Sequence, residues 1–352
     1  MTLKTDGLRD FLTTLIHPQS DRKILDFISS FGVEGDSIRV IFEGPTEQLQ
    51  FLESVRSLTE VQLKQHFPQH KILCALLAPK SFKSPPNILP TVKSIIAIAS
   101  GKGGVGKSTT TVNLAVAFTQ LGYKVGILDA DIYGPSLPTM MGLTGKPEVT
   151  ADKKLIPRKA HGISCMSIGF LIPPDTPMVW RGPMVQGALM QLLKDVAWGE
   201  LDLLLIDMPP GTGDVQLSLA QQASLAGAVI VSTPQDIALI DARKALGMFE
   251  KVAVPVLGII ENMSVFTCPH CGQDSHIFSH GGAQATASTL NVPFLGEVPL
   301  RLDIRSGADS GQPDNIVQPQ GAIAHCYRSI ATHMIENIST ASKKSPLIQI
   351  LD

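Results

Sequence analysis

The segment Gly101-Lys-Gly-Gly-Val-Gly-Lys-Ser-Thr109 has the residue types that hold a nucleotide triphosphate. It contains the spacing G-x-x-x-x-G-K-[ST], at Gly101, Gly106, Lys107 and Ser108. Gly101, Gly103, Gly104 and Gly106, with Val105 among them, let backbone N–H groups approach phosphate oxygens without a Cβ in the way. A helix expected to begin near Lys107 adds its N-terminal partial positive charge. Lys107 is expected to reach the β and γ phosphates of ATP. The hydroxyl of Ser108, which Thr109 follows, is expected to ligate Mg²⁺. A glycine-rich turn without a ligand is the competing reading, and the strand before and helix after the loop weigh against it. Lys102 puts a second cation in the loop, but spacing alone does not distinguish it from a solvated surface lysine.

Carboxylates at strand ends come next, because open α/β sheets bind ligands there. Asp207 ends an apolar run and leads into Met-Pro-Pro-Gly-Thr-Gly-Asp214, which suits a direct or outer-shell Mg²⁺ contact. Asp129 and Asp131 close Lys124-Val-Gly-Ile-Leu-Asp-Ala-Asp131, and one of them could orient the attacking water or touch the metal. The bland alternative for a strand-end Asp is a helix N-cap.

Cys268-Pro-His-Cys271 offers two thiolates at metal-gripping spacing. Two ligands do not complete a tetrahedral or cubane centre, whereas a symmetric dimer would supply four. Three centres remain open on spacing: a bridging iron–sulfur cluster, a shared Cys₄ zinc site, or a one-chain zinc site with His276 and His280. A redox pair is a further reading. Cys74, Cys165 and Cys326 lie in apolar or helical contexts and read as buried structural thiols.

The elements that must position these groups follow from periodicity. Residues 1–80 read as a small α+β unit. Leu8, Phe11, Leu12 and Leu15 have helical spacing, residues 37–42 alternate like a strand, Thr46 to His66 carries Leu49, Leu52, Val55, Leu58, Val61 and Leu63, and 71–78 reads as another strand. A proline-rich linker is expected over 81–92, and a tail from 341 to 352. Between 93 and 340, strands are expected at 95–100, 124–131, 203–208, 227–233, 256–262 and 294–299, with a helix over Thr109 to Leu121. The expected class is therefore α/β: a mostly parallel sheet covered by helices on both faces, plus the small N-terminal α+β domain. The formal charge of -2 argues against a nucleic-acid coat, and no run approaches the length of a bilayer span. Five cysteines without a signal-like N-terminus point to the reducing cytoplasm.

The additional Lys102 in the phosphate loop resembles the deviant Walker A of the MinD/ParA class of dimerising P-loop ATPases. Longer strings narrow the resemblance: GILDADIYGPSLPTMMG (126–142), MVWRGPM (178–184), DMPPGTGD (207–214), TPQDIALIDARKA (233–245) and ENMSVFTCPHCG (261–272). Together they resemble the Mrp/ApbC family of iron–sulfur cluster carrier ATPases over about residues 93 to 325. The resemblance implies a homodimer with Lys102 crossing to the partner's phosphates and Asp131 in the switch that senses the γ phosphate. It also implies Asn262 recognising adenine, and Cys268 and Cys271 holding a [4Fe–4S] cluster between two subunits. It further implies slow ATP hydrolysis, exchange with cluster donors and apo iron–sulfur proteins, and an FeS-assembly identity for residues 1–80. Members often carry a cysteine where this chain reads EGPTEQ (43–48), so thiol chemistry is not expected of that unit. A positioning or partition ATPase is the main rival. It would need an anchor or a basic surface, which SKKSPLIQILD (342–352) does not provide. A zinc module with vestigial ATPase activity is the third reading.

Overall fold

The computed structural model describes residues 5–18, 22–43, 48–77, 88–172 and 182–344. Most of the expected linker and tail, most of the EGPTEQ string and the first residues of MVWRGPM lie outside the described residues. The chain divides into two compact units, Met1–Lys83 and Ser84–Asp352.

The first unit contains α1 (Thr5–Thr14), β1 (Ile28–Glu34), β2 (Ser37–Glu43), α2 (Leu49–His66) and β3 (Lys71–Leu77). Its strands form one sheet in the order β1-β2-β3, with β1 antiparallel and β3 parallel to β2. Ile38, Val40 and Phe42 alternate along β2 into a core with Leu8, Leu12, Val55 and Leu63. Val61 lies on the outer side of α2 and is exposed, so one apolar residue of the expected stripe does not join the core.

The second unit runs β4 (Val92–Ala99), α3 (Lys107–Gln120), β5 (Val125–Asp129), α4 (Leu137–Met140), β6 (Arg158–Ala160) and β7 (Ile163–Ser167). It continues through α5 (Gly182–Lys194), β8 (Leu201–Asp207), α6 (Asp214–Gln222), β9 (Gly227–Ser232), α7 (Asp236–Lys251) and β10 (Val256–Thr267). It ends with β11 (Asp274–Ser275), α8 (Gly282–Thr289), β12 (Phe294–Leu300), α9 (Leu302–Ser310), α10 (Asp314–Val317) and α11 (Ala322–Lys344). The sheet order is β6-β7-β5-β8-β4-β9-β10, with β12 parallel to β10 and β11 antiparallel to its far end. Every other pairing is parallel except β6 with β7. The central strands β5 and β9 are buried along their whole length, as a sheet covered on both faces requires. No described helix is long and apolar enough to cross a membrane.

Three differences from the expected elements have physical reasons. The helix after the phosphate loop starts at Lys107, as the phosphate contact requires and two residues before the Thr109 start expected from the helical run, because Gly106 takes a left-handed conformation that turns the chain straight into it. β10 continues to Thr267 instead of ending at Asn262, because β11 pairs with its distal end. α11 extends through residue 344, so the first residues of the expected tail are helical.

Candidate functional site

The phosphate loop leaves the C-terminal end of β4, which has β8 on one side and β9 on the other. Gly104 and Gly106 have φ of +82° and +79°, values that a side chain strains to adopt. Gly101 is required for a different reason. A Cβ there would overlap the backbone of Asp241 on α7, so the loop packs directly on that helix. A Cβ on Gly106 would overlap the Asn262 amide. Lys102 is half-buried on the loop, and its carbonyl accepts a hydrogen bond from Ser100 Oγ at 2.9 Å.

Lys107 is buried, and its Nζ lies 2.6 Å from Asp207 Oδ1 at the end of β8. Thr111 Oγ1 donates to the same carboxylate oxygen at 3.1 Å. Lys107 Nζ also lies 3.3 Å from Ser108 Oγ, so the lysine, the serine hydroxyl and the strand-end carboxylate form one group at the start of α3. Hydroxyl and carboxylate oxygens are the hard donors that suit Mg²⁺.

The two strand-end aspartates of β5 separate clearly. Asp129 is fully buried and accepts from Ser167 Oγ (2.9 Å), the Asp131 N–H (3.1 Å) and the Leu137 N–H (3.3 Å). Its carboxyl is pushed well above the usual range by burial and then by the charge of Asp207, against the pull of the Ser167 and Leu137 hydrogen bonds and of Lys107. Asp129 is thus a structural clasp. Asp131, two residues on, is only partly buried. Burial raises its carboxyl, while the positive charge of Lys107 opposes that shift. Of the pair, Asp131 is the one left to face a ligand.

Asn262 lies on β10 and is buried. Its Nδ2 donates to the Val105 carbonyl at 2.8 Å, bracing the phosphate loop from the neighbouring strand. That edge of the amide is therefore occupied by the loop, which bears on the expected adenine contact.

The cysteines sit at the tip of the β10–β11 hairpin. The Cys268 N–H donates to Gln273 O, and the Gly272 N–H donates to Cys268 O, both at 2.9 Å. Gly272 closes this tight turn at φ +71°. The Cys271 backbone N–H, followed by that of His270, points at the Cys268 sulfur and holds its thiol below the ordinary value. Cys271 is exposed and Cys268 partly so. A hairpin tip is not the strand–helix junction of a redox C-x-x-C pair. The one-chain zinc arrangement is not assembled either. The His276 and His280 rings lie against one another at 4.5 Å, and His280 Nε2 is 3.1 Å from Glu297. Among the described residues, no group of three or more ligating side chains includes either cysteine. Of the three remaining thiols only Cys165 is fully buried, whereas Cys74 and Cys326 are partly covered because each sits at the margin of its core. The sequence reading missed Thr111, Asp241 and the bracing role of Asn262. Thr111, one helical turn after Lys107, is the only one of these with a local signal.

Comparison with known proteins follows the same lines. The profile of the family described as ParA: NUBPL iron-transfer P-loop NTPase matches residues 91–335. An iron–sulfur cluster carrier protein of Pseudomonas fragi is 54% identical over 245 residues, covering 69% of this chain and 85% of its own. The mouse iron–sulfur cluster transfer protein NUBPL is 52% identical over 252 residues, with 71% and 79% coverage. A carrier protein of Aquifex aeolicus is 43% identical over 333 residues, covering 88% of this chain, which reaches into the N-terminal unit. Among solved structures, a nucleotide-binding protein of Archaeoglobus fulgidus in complex with ADP, in which cobalt was found, is similar at 40% identity and a TM-score of 0.60. It covers 71% of this chain and 98% of its own. The Pyrococcus furiosus cell division ATPase MinD shares the fold at 24% identity and a TM-score of 0.53, covering 69% of this chain and 99% of its own.

Proposed function

The chain belongs to the family of iron-transfer P-loop NTPases that includes the Mrp/ApbC and NUBPL cluster carriers, and on that premise we propose that two copies of it hold one [4Fe–4S] cluster as cargo and release it under the control of ATP. One observation carries the reading. Each chain presents two thiols, and only two, on an exposed hairpin tip, with no third ligand beside them among the described residues. A second copy completes the ligand set.

In this reading the glycine loop from Gly101 to Gly106 and the α3 N-terminus hold the ATP phosphates, with Lys107 exchanging Asp207 for phosphate oxygens. Ser108, together with Asp207, holds Mg²⁺, which supplies charge neutralisation at the phosphates. Asp131 orients the water that attacks the γ phosphorus as the bond to the β–γ bridging oxygen breaks. Lys102 reaches the nucleotide of the partner chain. Asn262 fixes the loop through Val105, and any contact with adenine uses the remaining edge of its amide. Hydrolysis is slow because the two-fold arrangement must form first. The N-terminal unit is read as the small FeS-assembly domain. Burial pushes its Cys74 thiol up to about 11, which makes it a poor cluster ligand. Recipients are apo iron–sulfur proteins, and donors are cluster assembly proteins, in a compartment that keeps the thiols reduced.

Anaerobic reconstitution with iron and sulfide tests this. The expected product is a dimer by sedimentation with about four iron and four sulfide per pair of chains. Cys268→Ser is expected to be monomeric and colourless, and Lys107→Ala to bind cluster but fail to pass it on with ATP. A chain with intact cysteines that takes up only zinc, or acquires no iron–sulfur absorbance, refutes the reading.

A further inference from the structure

Three ligating side chains meet away from the thiol pair. Glu261 precedes Asn262 on β10, Glu297 is its register partner on the parallel strand β12, and His280 arrives from the turn before α8. Their ligating atoms all lie within 4.8 Å of one another. Glu261 is wholly buried. Its Oε1 accepts from the Gly281 N–H at 3.0 Å and its Oε2 from the Ala283 N–H at 2.7 Å. Each oxygen keeps a further lone pair. His280 Nε2 lies 3.1 Å from Glu297 Oε2.

Helix capping accounts for part of this arrangement. Glu261 satisfies N–H groups at the start of α8, where a carboxylate is favourable. Capping does not account for Glu297. Like charges directly across a strand pair repel, and here one of the two is out of water. One imidazole carries at most a single positive charge against two carboxylates, and its contact is with Glu297. A divalent cation would balance both and would take the imidazole nitrogen as its third ligand.

We propose that Glu261, His280 and Glu297 form a second metal site, distinct from the cysteine pair, for one divalent first-row transition ion of the Fe²⁺, Co²⁺ and Zn²⁺ class. Two carboxylate oxygens and one imidazole nitrogen, without sulfur, suit such ions and leave coordination positions open. An imidazole ligand disfavours Ca²⁺ and Mg²⁺, which take oxygen. The backbone N–H groups of Gly281 and Ala283 orient the Glu261 carboxylate from behind, as supporting hydrogen bonds do in metal sites. The site does not depend on what the thiol pair carries.

The test uses the full-length, tag-free chain with Cys268→Ser and Cys271→Ser, so that the thiols contribute nothing. Co²⁺ alone is titrated and followed by its visible absorption. The expected result is one Co²⁺ per chain, with ligand-field bands but no thiolate charge-transfer band, displaced by Zn²⁺. His280→Ala and Glu297→Gln, added singly, are each expected to weaken binding at least about tenfold. Their side chains are 45% and 32% exposed, so the fold tolerates both changes, whereas Glu261 caps α8 and is left intact. No Co²⁺ uptake by the chain lacking Cys268 and Cys271, or uptake that both substitutions leave unchanged, overturns the proposal.

Discussion

Replacing Lys107 with methionine isolates the ion pair at the heart of the phosphate site. Methionine keeps the length and apolar stem of the side chain but removes the charge, so Asp207 and the nearby Asp129 face each other with no cation. Both partners of the original pair are almost fully covered, at 6% and 4% side-chain exposure, so water screens the loss poorly. Removing one partner of such a pair destabilises by about 3–5 kcal/mol at pH near 8. Protonation limits the loss. Asp129, whose carboxyl Lys107 pulls down in the native protein, is pushed further above its unfolded value near 4 when the lysine is lost, so its full contribution to stability is present below that value. The contribution falls by about 1.4 kcal/mol per pH unit as pH rises, until the raised pKa is passed. Asp129 already lies above the ordinary range in the native protein, first because it is buried and then because of the charge of Asp207. The difference between native and Lys107→Met protein is therefore expected to shrink toward roughly 1 kcal/mol near pH 5. Urea unfolding without nucleotide, followed by tryptophan fluorescence, measures it, because both tryptophans of the chain fall in the second unit. A difference below about 1 kcal/mol at pH near 8, or one that does not vary with pH, refutes the electrostatic account.

Three further outcomes follow from named contacts. Alkylation of Cys268 in the metal-free protein is expected to have a pH midpoint below the ordinary thiol value of about 8.5, because the thiolate is the nucleophile and backbone N–H groups stabilise it. Cys165, pushed up to about 12, and Cys326, pushed up to about 11, should stay unmodified in the same mass-resolved experiment, and a Cys268 midpoint at or above the ordinary value contradicts the hairpin geometry. Gly106→Ala should fold yet lose ATP binding by calorimetry, since the φ of +79° and the Asn262 amide both oppose the new methyl group. Asn262→Ala removes one hydrogen bond worth about 1 kcal/mol, so ATP affinity should fall several-fold. Unchanged affinity would mean that Val105 is held without it.

What could be read in the sequence is what chemistry localises. The phosphate loop needs glycines, a lysine and a hydroxyl at fixed offsets, and the central strands are apolar runs because both faces are buried. Features that depend on distant chain segments stayed hidden. The partners Lys107 and Asp207 are far apart in sequence, and the reason Gly101 must be glycine is the backbone of Asp241. β7 is wholly buried, but its sequence Ile-Ser-Cys-Met-Ser lacks the apolar signature of its neighbours. Asp129 and Asp131 are the same residue type, two positions apart. Only the turn of the chain after β5 decides that one clasps Ser167 and Leu137 while the other faces the site. The apolar run of β10 ends at Ile260, and Met263, with φ of +58°, interrupts regular pairing with β12 between Asn262 and Phe266, so the remainder of the strand has no period to read.

That same irregular strand joins the two chemistries of the molecule. Along β10, Glu261 grips the start of α8, Asn262 grips the phosphate loop, and Thr267 leads into the Cys268 turn. Asn262 lies five residues before the strand ends. Met263 interrupts the pairing with β12 between Asn262 and Phe266, and beyond the break the strand is held again by β11 and by Leu300 opposite Phe266. Each hydrogen bond of a regular ladder fixes the next, so the break leaves the part of β10 that braces Val105 and the part that leads to the thiols as two separately paired segments of one strand.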